Sequence, residues 1–193
     1  NIDFSVNYEN DGYFVNASVY SNAVDSYIYL LDTGTKNAKN LPITNYRQAD
    51  ADFNGYEIEV GRSFTTNNGD FVISYGRDEV VGTFSSGGNV PRITPIKNVY
   101  RFALEQEDVT YDIKVMDIQK EDDIGFGESV TDGYTMVDFD IRRTIAIGND
   151  EELILSVFGR NLLDEKARNH TSYVKNEVPL AGRNFGIKLN FNF

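Results

Sequence analysis

Apolar and polar residues alternate with a period of two along most of this chain, and that pattern leaves only sheet architectures open. The last segment is the plainest case. Phe185, Ile187, Leu189, Phe191 and Phe193 fall on one face, and Gly186, Lys188, Asn190 and Asn192 on the other. Val137, Phe139 and Ile141 oppose Asp138, Asp140 and Arg142 in the same way, and Tyr56, Ile58 and Val60 oppose Glu57 and Glu59. No long stretch carries a helical period, so the chain is expected to be all-β. About nine strands are predicted, at 2–8, 13–31, 46–65, 70–77, 98–105, 110–118, 133–147, 152–159 and 184–193.

The connections sort by length. Short turns at Glu9–Gly12, Asn67–Gly69, Gln106–Asp108 and Gly148–Asp150 carry Asn, Asp and Gly, the residues of tight hairpins. The connections at 32–45, 78–97, 119–132 and 160–183 are long. A sheet whose two ends face different compartments sorts its loops this way, and a soluble sandwich has no reason to. Tyr8, Tyr13, Phe102, Tyr111 and Phe191 gather near the short-turn level. They are expected to form the interfacial aromatic girdle of an antiparallel transmembrane β-barrel, apolar outside and polar within. Such a sorted surface reconciles a mean hydropathy of −0.40 with membrane insertion. Strands of about 9–11 residues cross when tilted, so those near 13–31 and 46–65 would project beyond the bilayer.

Composition removes several functions. The net charge of −12 argues against nucleic acid as a partner. The absence of Cys removes disulfides, thiolate nucleophiles and Cys-based zinc sites. No apolar run is long enough for a transmembrane helix. The glycines of Gly125–Gly127 and Ser85–Gly88 lack the strand-to-helix setting of a phosphate loop. No carboxylate pair is positioned as an acid and base, so neither enzymatic activity nor a cofactor is expected.

The single histidine, His170, has two readings. It is a metal or substrate ligand with Asp164 and Glu165 as oxygen donors, or it is hydrogen-bonded within a tight Asn-His-Thr-Ser turn. The acidic groups Asp50/Asp52, Asp78-Glu79 and Glu121-Asp122-Asp123 would attract cations to a vestibule or lie on a solvated surface. Glu57 and Glu59, with Arg101, Lys114, Arg142 and Lys188, would form a polar lumen wall. Arg143 has the parity of Val137, Phe139 and Ile141 and would face lipid unless a bulge or snorkelling rescues it.

The C-terminal third carries a resemblance. Glu128–Asp138, Phe158-Gly-Arg-Asn-Leu-Leu-Asp164, His170-Thr-Ser-Tyr-Val-Lys175, Pro179-Leu-Ala-Gly-Arg-Asn-Phe185 and the terminal Phe193 resemble, in order, the end of TonB-dependent outer-membrane receptors. Tyr46–Glu57 and Asn89-Val-Pro-Arg-Ile-Thr-Pro95 look like late strands and a loop of the same family. The His-Thr-Ser, Gly-Arg-Asn-Phe and Pro-Arg-Ile stretches look most like its zinc-uptake branch, with haem and ferric siderophore receptors next. The resemblance implies a barrel of about 22 strands filled by an N-terminal plug. Residues 1–193 would be its C-terminal part, without the plug. It further implies transport of a metal or metal chelate across the bacterial outer membrane. The TonB complex would act through the missing plug, and lipid and lipopolysaccharide would surround the wall. Phe193 would be the signal read by the barrel assembly machinery, at a periplasmic C-terminus. Short turns would be periplasmic and long loops extracellular. The rival expectation is a secreted acidic β-sandwich that binds carbohydrate or Ca2+ through its Asp-rich loops.

Overall fold

A computed structural model describes residues 1–148 and 151–193. Asn149 and Asp150 of the fourth short turn lie outside the described residues. Among the described residues nine strands form one antiparallel sheet in sequence order: β1 (Ile2–Asn10), β2 (Tyr13–Lys36), β3 (Pro42–Thr66), β4 (Gly69–Phe84), β5 (Lys97–Glu105), β6 (Val109–Ile118), β7 (Tyr134–Ala146), β8 (Glu152–Arg160) and β9 (Asn184–Asn192). Strands touch only their neighbours in sequence, and β1 and β9 do not pair. A sandwich requires a second sheet stacked on the first. None is present among the described residues, which removes the architecture of the rival expectation.

Register converts the alternation into two faces. Across β3 to β7, Val60, Tyr75, Tyr100, Val115 and Val137 form one row through direct pairing. The next rows of that face hold Ile73, Phe102, Ile113 and Phe139, then Phe71, Leu104, Tyr111 and Ile141. This apolar face is open: Phe102, Ile113, Ile187 and Leu189 are all exposed. The opposite face carries Asn16, Glu59, Ser18, Glu57, Asp78 and Lys97 on one side of the sheet. Farther along it lie Lys114, Asp138, Arg142, Ser156 and Lys188. Few residues are buried on both sides, because a single sheet has no second layer to pack on.

Five glycines sit directly opposite aromatic residues: Phe14–Gly61, Tyr20–Gly55, Phe53–Gly82, Phe139–Gly159 and Phe158–Gly186. The rings lie over the glycines so closely that a Cβ at Gly61 would stand 2.2 Å from the Phe14 ring. All but the Phe139 pair are on the polar face.

Two expectations change. The connection expected at 32–45 is strand up to Lys36 and again from Pro42, so a short turn closes a tall β2–β3 hairpin. The strand at 70–77 continues to Phe84. Register shifts at Val24/Tyr27 and Asp32/Lys36 carry the hairpin past points where the alternation breaks. At the first of them Ser26 adopts φ 56°, and its backbone N–H donates to Asp50 Oδ1 at 2.8 Å.

Arg143 is rescued without a bulge, since the β7–β8 register is unbroken from Phe139 to Ala146. Its side chain reaches the β5–β6 turn and pairs with Asp108 at 3.1 Å. This is snorkelling along the apolar face to its rim.

Candidate functional site

Two regions gather chemistry. The first is the polar face. Asp78 pairs with Lys97 at 2.9 Å, Arg101 with Asp112 at 2.6 Å and Arg160 with Asp140 at 2.7 Å. Glu57 and Glu59 line a groove of about 460 Å3 together with Asn7, Asn16 and Ser18. Ion pairs between neighbouring strands in open solvent contribute little stability. Their arrangement makes a polar wall that carries both signs of charge, with like charges opposed at Glu57–Asp78, Arg101–Lys114 and Asp112–Asp140.

The second region is built by the long connections. Loop 119–133 follows β6, loop 161–183 follows β8, and loop 85–96 follows β4. At their junction His170 is 2% exposed, Lys175 4% and Thr131 4%, the most enclosed polar residues among those described apart from Asn161. Thr131 Oγ1 lies 2.9 Å from His170 Nδ1, and Lys175 Nζ lies 3.2 Å from the same nitrogen. An ammonium can only donate, so Nδ1 accepts and the ring proton sits on Nε2. Nε2 faces Glu128 Oε1 at 3.7 Å. The Glu128 carboxylate also accepts the backbone N–H of Arg92 at 2.9 Å and of Gly125 at 3.0 Å. Lys175 Nζ donates a further hydrogen bond to the Ser129 carbonyl.

Burial pushes the Glu128 carboxyl up, but His170 and the two backbone donors outweigh it and leave it below its ordinary value. Burial lowers Lys175; Glu128 opposes that shift and the nearby Arg92 charge reinforces it. Burial raises Glu121, which pairs through its backbone with Thr131. One carboxylate thus accepts two backbone donors and faces the imidazole, drawing on three loops. Beside it lies a cavity of about 490 Å3, lined by Arg92, Glu128, Tyr173 and Lys175 and by Asp32 and Lys36 of the β2–β3 hairpin.

The expected ligand trio is not gathered. Asp164, at φ 58°, accepts the Arg183 backbone N–H at 2.9 Å. The Glu165 backbone is clamped by Asn161, whose Oδ1 accepts its N–H and whose Nδ2 donates to its carbonyl. Both side chains are exposed, whereas His170 is enclosed and hydrogen-bonded. Among the described residues no three His, Cys, Asp or Glu side chains are placed to hold a metal ion. Asn169 does shape a tight turn, its Oδ1 accepting Thr171 N–H at 3.1 Å, but the imidazole bonds across to Thr131.

Of the acidic groups, Asp78 and Glu79 lie in β4, each with a basic partner, and Asp122 pairs with Lys120 in its loop. The aromatics Tyr8, Tyr13, Phe102, Tyr111 and Phe191 are all exposed. They share the apolar face: Tyr13 and Phe102 stand in one row, Tyr8 in the row before, Tyr111 in the row after and Phe191 two rows beyond that.

The apolar face ends in a polar row that sequence reading missed. Arg77 donates to Tyr56 Oη at 2.7 Å and to Asn98 Oδ1 at 3.2 Å, and Tyr56 donates to Glu79 at 2.8 Å. Asn98 continues the chain to Asp117 at 3.3 Å. Glu128, Lys175 and Arg92 were also missed as a site, although each stands inside a stretch that carried the resemblance.

No protein-family model matches the sequence, and no curated relative does. Among solved structures the chain is similar to the copper transporter OprC, with a TM-score of 0.84 at 20% identity. The match covers 99% of this chain and 31% of the OprC chain, so this chain spans under a third of that protein's length. The likeness extends over all nine strands and shows their fold.

Proposed function

We propose that the chain forms the C-terminal wall and extracellular rim of a TonB-dependent outer-membrane receptor that takes up a metal ion or metal chelate. One observation carries this reading. A single sheet with an open apolar face and a charged opposite face has the fold of part of a copper transporter over its whole length. An exposed apolar face of this extent requires a nonaqueous neighbour. Lipid supplies one, with lipopolysaccharide above it, and Tyr8, Tyr13, Phe102, Tyr111 and Phe191 act as headgroup anchors.

In this reading β1 and β9 pair with strands from the rest of a barrel of about 22. The polar face lines the lumen against a plug, and the TonB complex acts on that plug. Short turns and Phe193 are periplasmic, where the assembly machinery reads the last strand. The tall β2–β3 hairpin and the loops of the Glu128 cluster stand outside the cell. The cargo is transported substrate, with zinc favoured by the His-Thr-Ser and Gly-Arg-Asn-Phe stretches. Copper joins it as a candidate through the fold match. His170 is enclosed, with Nδ1 bonded to Thr131 and Lys175 and Nε2 turned to Glu128, so direct metal ligands belong to other parts of the receptor.

The test is growth of a deletion strain under separate limitation for zinc, copper and iron, with uptake of labelled zinc, copper, haem and ferric siderophore. Uptake of one cargo is expected to fall and to return with the full-length gene. Unchanged uptake of all four, or a compact monomer that unfolds cooperatively without detergent, defeats the proposal.

A further inference from the structure

Arg92 is anomalous. Its Nε is the one fully buried side-chain nitrogen or oxygen among the described residues without a hydrogen-bond partner. None of the ion pairs among those residues includes it. Its guanidinium carbon sits 3.4 Å from the centroid of the Tyr173 ring, a close cation–π stack that leaves N–H donors unused. The backbone is held at φ 65°, left-handed for a non-glycine residue, by the bond from its own N–H to Glu128. Such a conformation persists only where the surroundings over-determine it. Glu128 is therefore bound to the Arg92 backbone and leaves the side chain without a counter-ion. A buried donor without a partner requires an explanation, and a fork of five N–H groups suits a carboxylate.

The cavity beside Arg92 and Tyr173 is large enough for a small organic anion; Arg92, Lys36 and the buried Lys175 are its basic lining, and Asp32, Glu128 and Glu177 its acidic lining. We infer that the junction of loops 85–96, 119–133 and 161–183 is a binding site for a small carboxylate-bearing molecule, its carboxylate held by Arg92 against Tyr173. The inference stands apart from the cargo being a metal. It is tested without metal, whereas the transport reading fails only in uptake or in membrane residence.

The experiment is calorimetric titration of the full-length receptor in detergent with citrate, at constant ionic strength. Inorganic phosphate and chloride serve as comparators. Citrate is expected to bind the native protein more tightly than either. Arg92→Gln should weaken it at least about tenfold, the worth of a charged hydrogen bond. Arg92→Lys, which keeps the charge and loses the fork, should fall between them, and Tyr173→Leu should weaken binding several-fold. Arg92→Lys decides the question if Arg92→Gln does not fold. Citrate binding no tighter than chloride, phosphate binding as tight as citrate, or full citrate affinity in either Arg92 variant overturns the site.

Discussion

At one end of the sheet Asp11 and Gly12 reverse the chain in two residues, at φ 49° and 75°, using the backbone alone. At the other end Glu128, His170 and Lys175 bury ionisable groups to hold together loops that span 85–96, 119–133 and 161–183. A two-residue turn with positive φ at both positions matches the strand twist and is satisfied locally. Long loops have no ladder to satisfy their backbone, so they need a shared acceptor, and Glu128 is that acceptor. The turn end is held by conformation and the loop end by electrostatics in a dry environment. The two ends should therefore respond to different perturbations.

The largest effect is expected at the loop end. Glu128→Ala leaves the backbone donors of Arg92 and Gly125 without their acceptor, and each buried donor left unsatisfied costs about 1–3 kcal/mol. In detergent, hydrogen exchange at the Glu121 and Thr131 amides, which bond each other's carbonyls, should accelerate accordingly. The Gln106 amide in the β5–β6 turn should be unaffected. Equal acceleration at both ends would erase the distinction.

Gly12→Ala is the reciprocal test. A Cβ there would stand 2.1 Å from the Ser63 carbonyl oxygen, on a residue at positive φ. Strain of this kind costs about 1–3 kcal/mol. Exchange of the Ser63 amide, which donates to Gly12 O at 2.7 Å, should report it while the Thr131 amide stays protected.

Acid should sharpen the contrast further, with the smallest effect. Glu128 has a lowered folded pKa, so its stabilisation is complete above the ordinary carboxylate range and is lost as pH falls through the lower folded value. Lys175, also lowered, has the same sign at the alkaline end. Glu121 has the opposite sign, since its raised value contributes at low pH and is lost as pH rises. Thr131 protection should therefore fall on acidification in the native protein, and Glu128→Gln should flatten that limb. The turn amides should show no matching loss.

The same contrast explains what could be read from the sequence. All nine strands were legible, because each pairs two chemically distinct faces and period-two alternation records that directly. The extents of β2, β3 and β4 were not. Register shifts near Tyr27 and Lys36 reset the parity. In β4 the outward face turns polar at Arg77 and Glu79, so a continuing strand resembles the start of a loop. Arg143 was flagged by parity, and its remedy, a reach to Asp108, depended on which turn lay beside it in space.

The Glu128 cluster was out of reach for a different reason. Its bonds join residues 39 and 46 positions apart, Thr131 with His170 and Ser129 with Lys175. Loop residues carry no period to show that they converge. His170 stood out only by being the single histidine, and rarity does not reveal which partner a ring faces. Asp164 and Glu165 were close to it in sequence, but Asn161 and Arg183 direct that segment elsewhere.

The four ring-over-glycine pairs on the polar face set how much room that face leaves. A phenyl group standing upright would occupy depth, whereas one lying along the neighbouring strand covers bare backbone and adds little relief. Phe14, Tyr20, Phe53 and Phe158 thus supply aromatic bulk sideways, within the sheet's own thickness. The polar face keeps its clearance beside them, and the swap of any of those glycines for alanine would tip a ring away from the sheet.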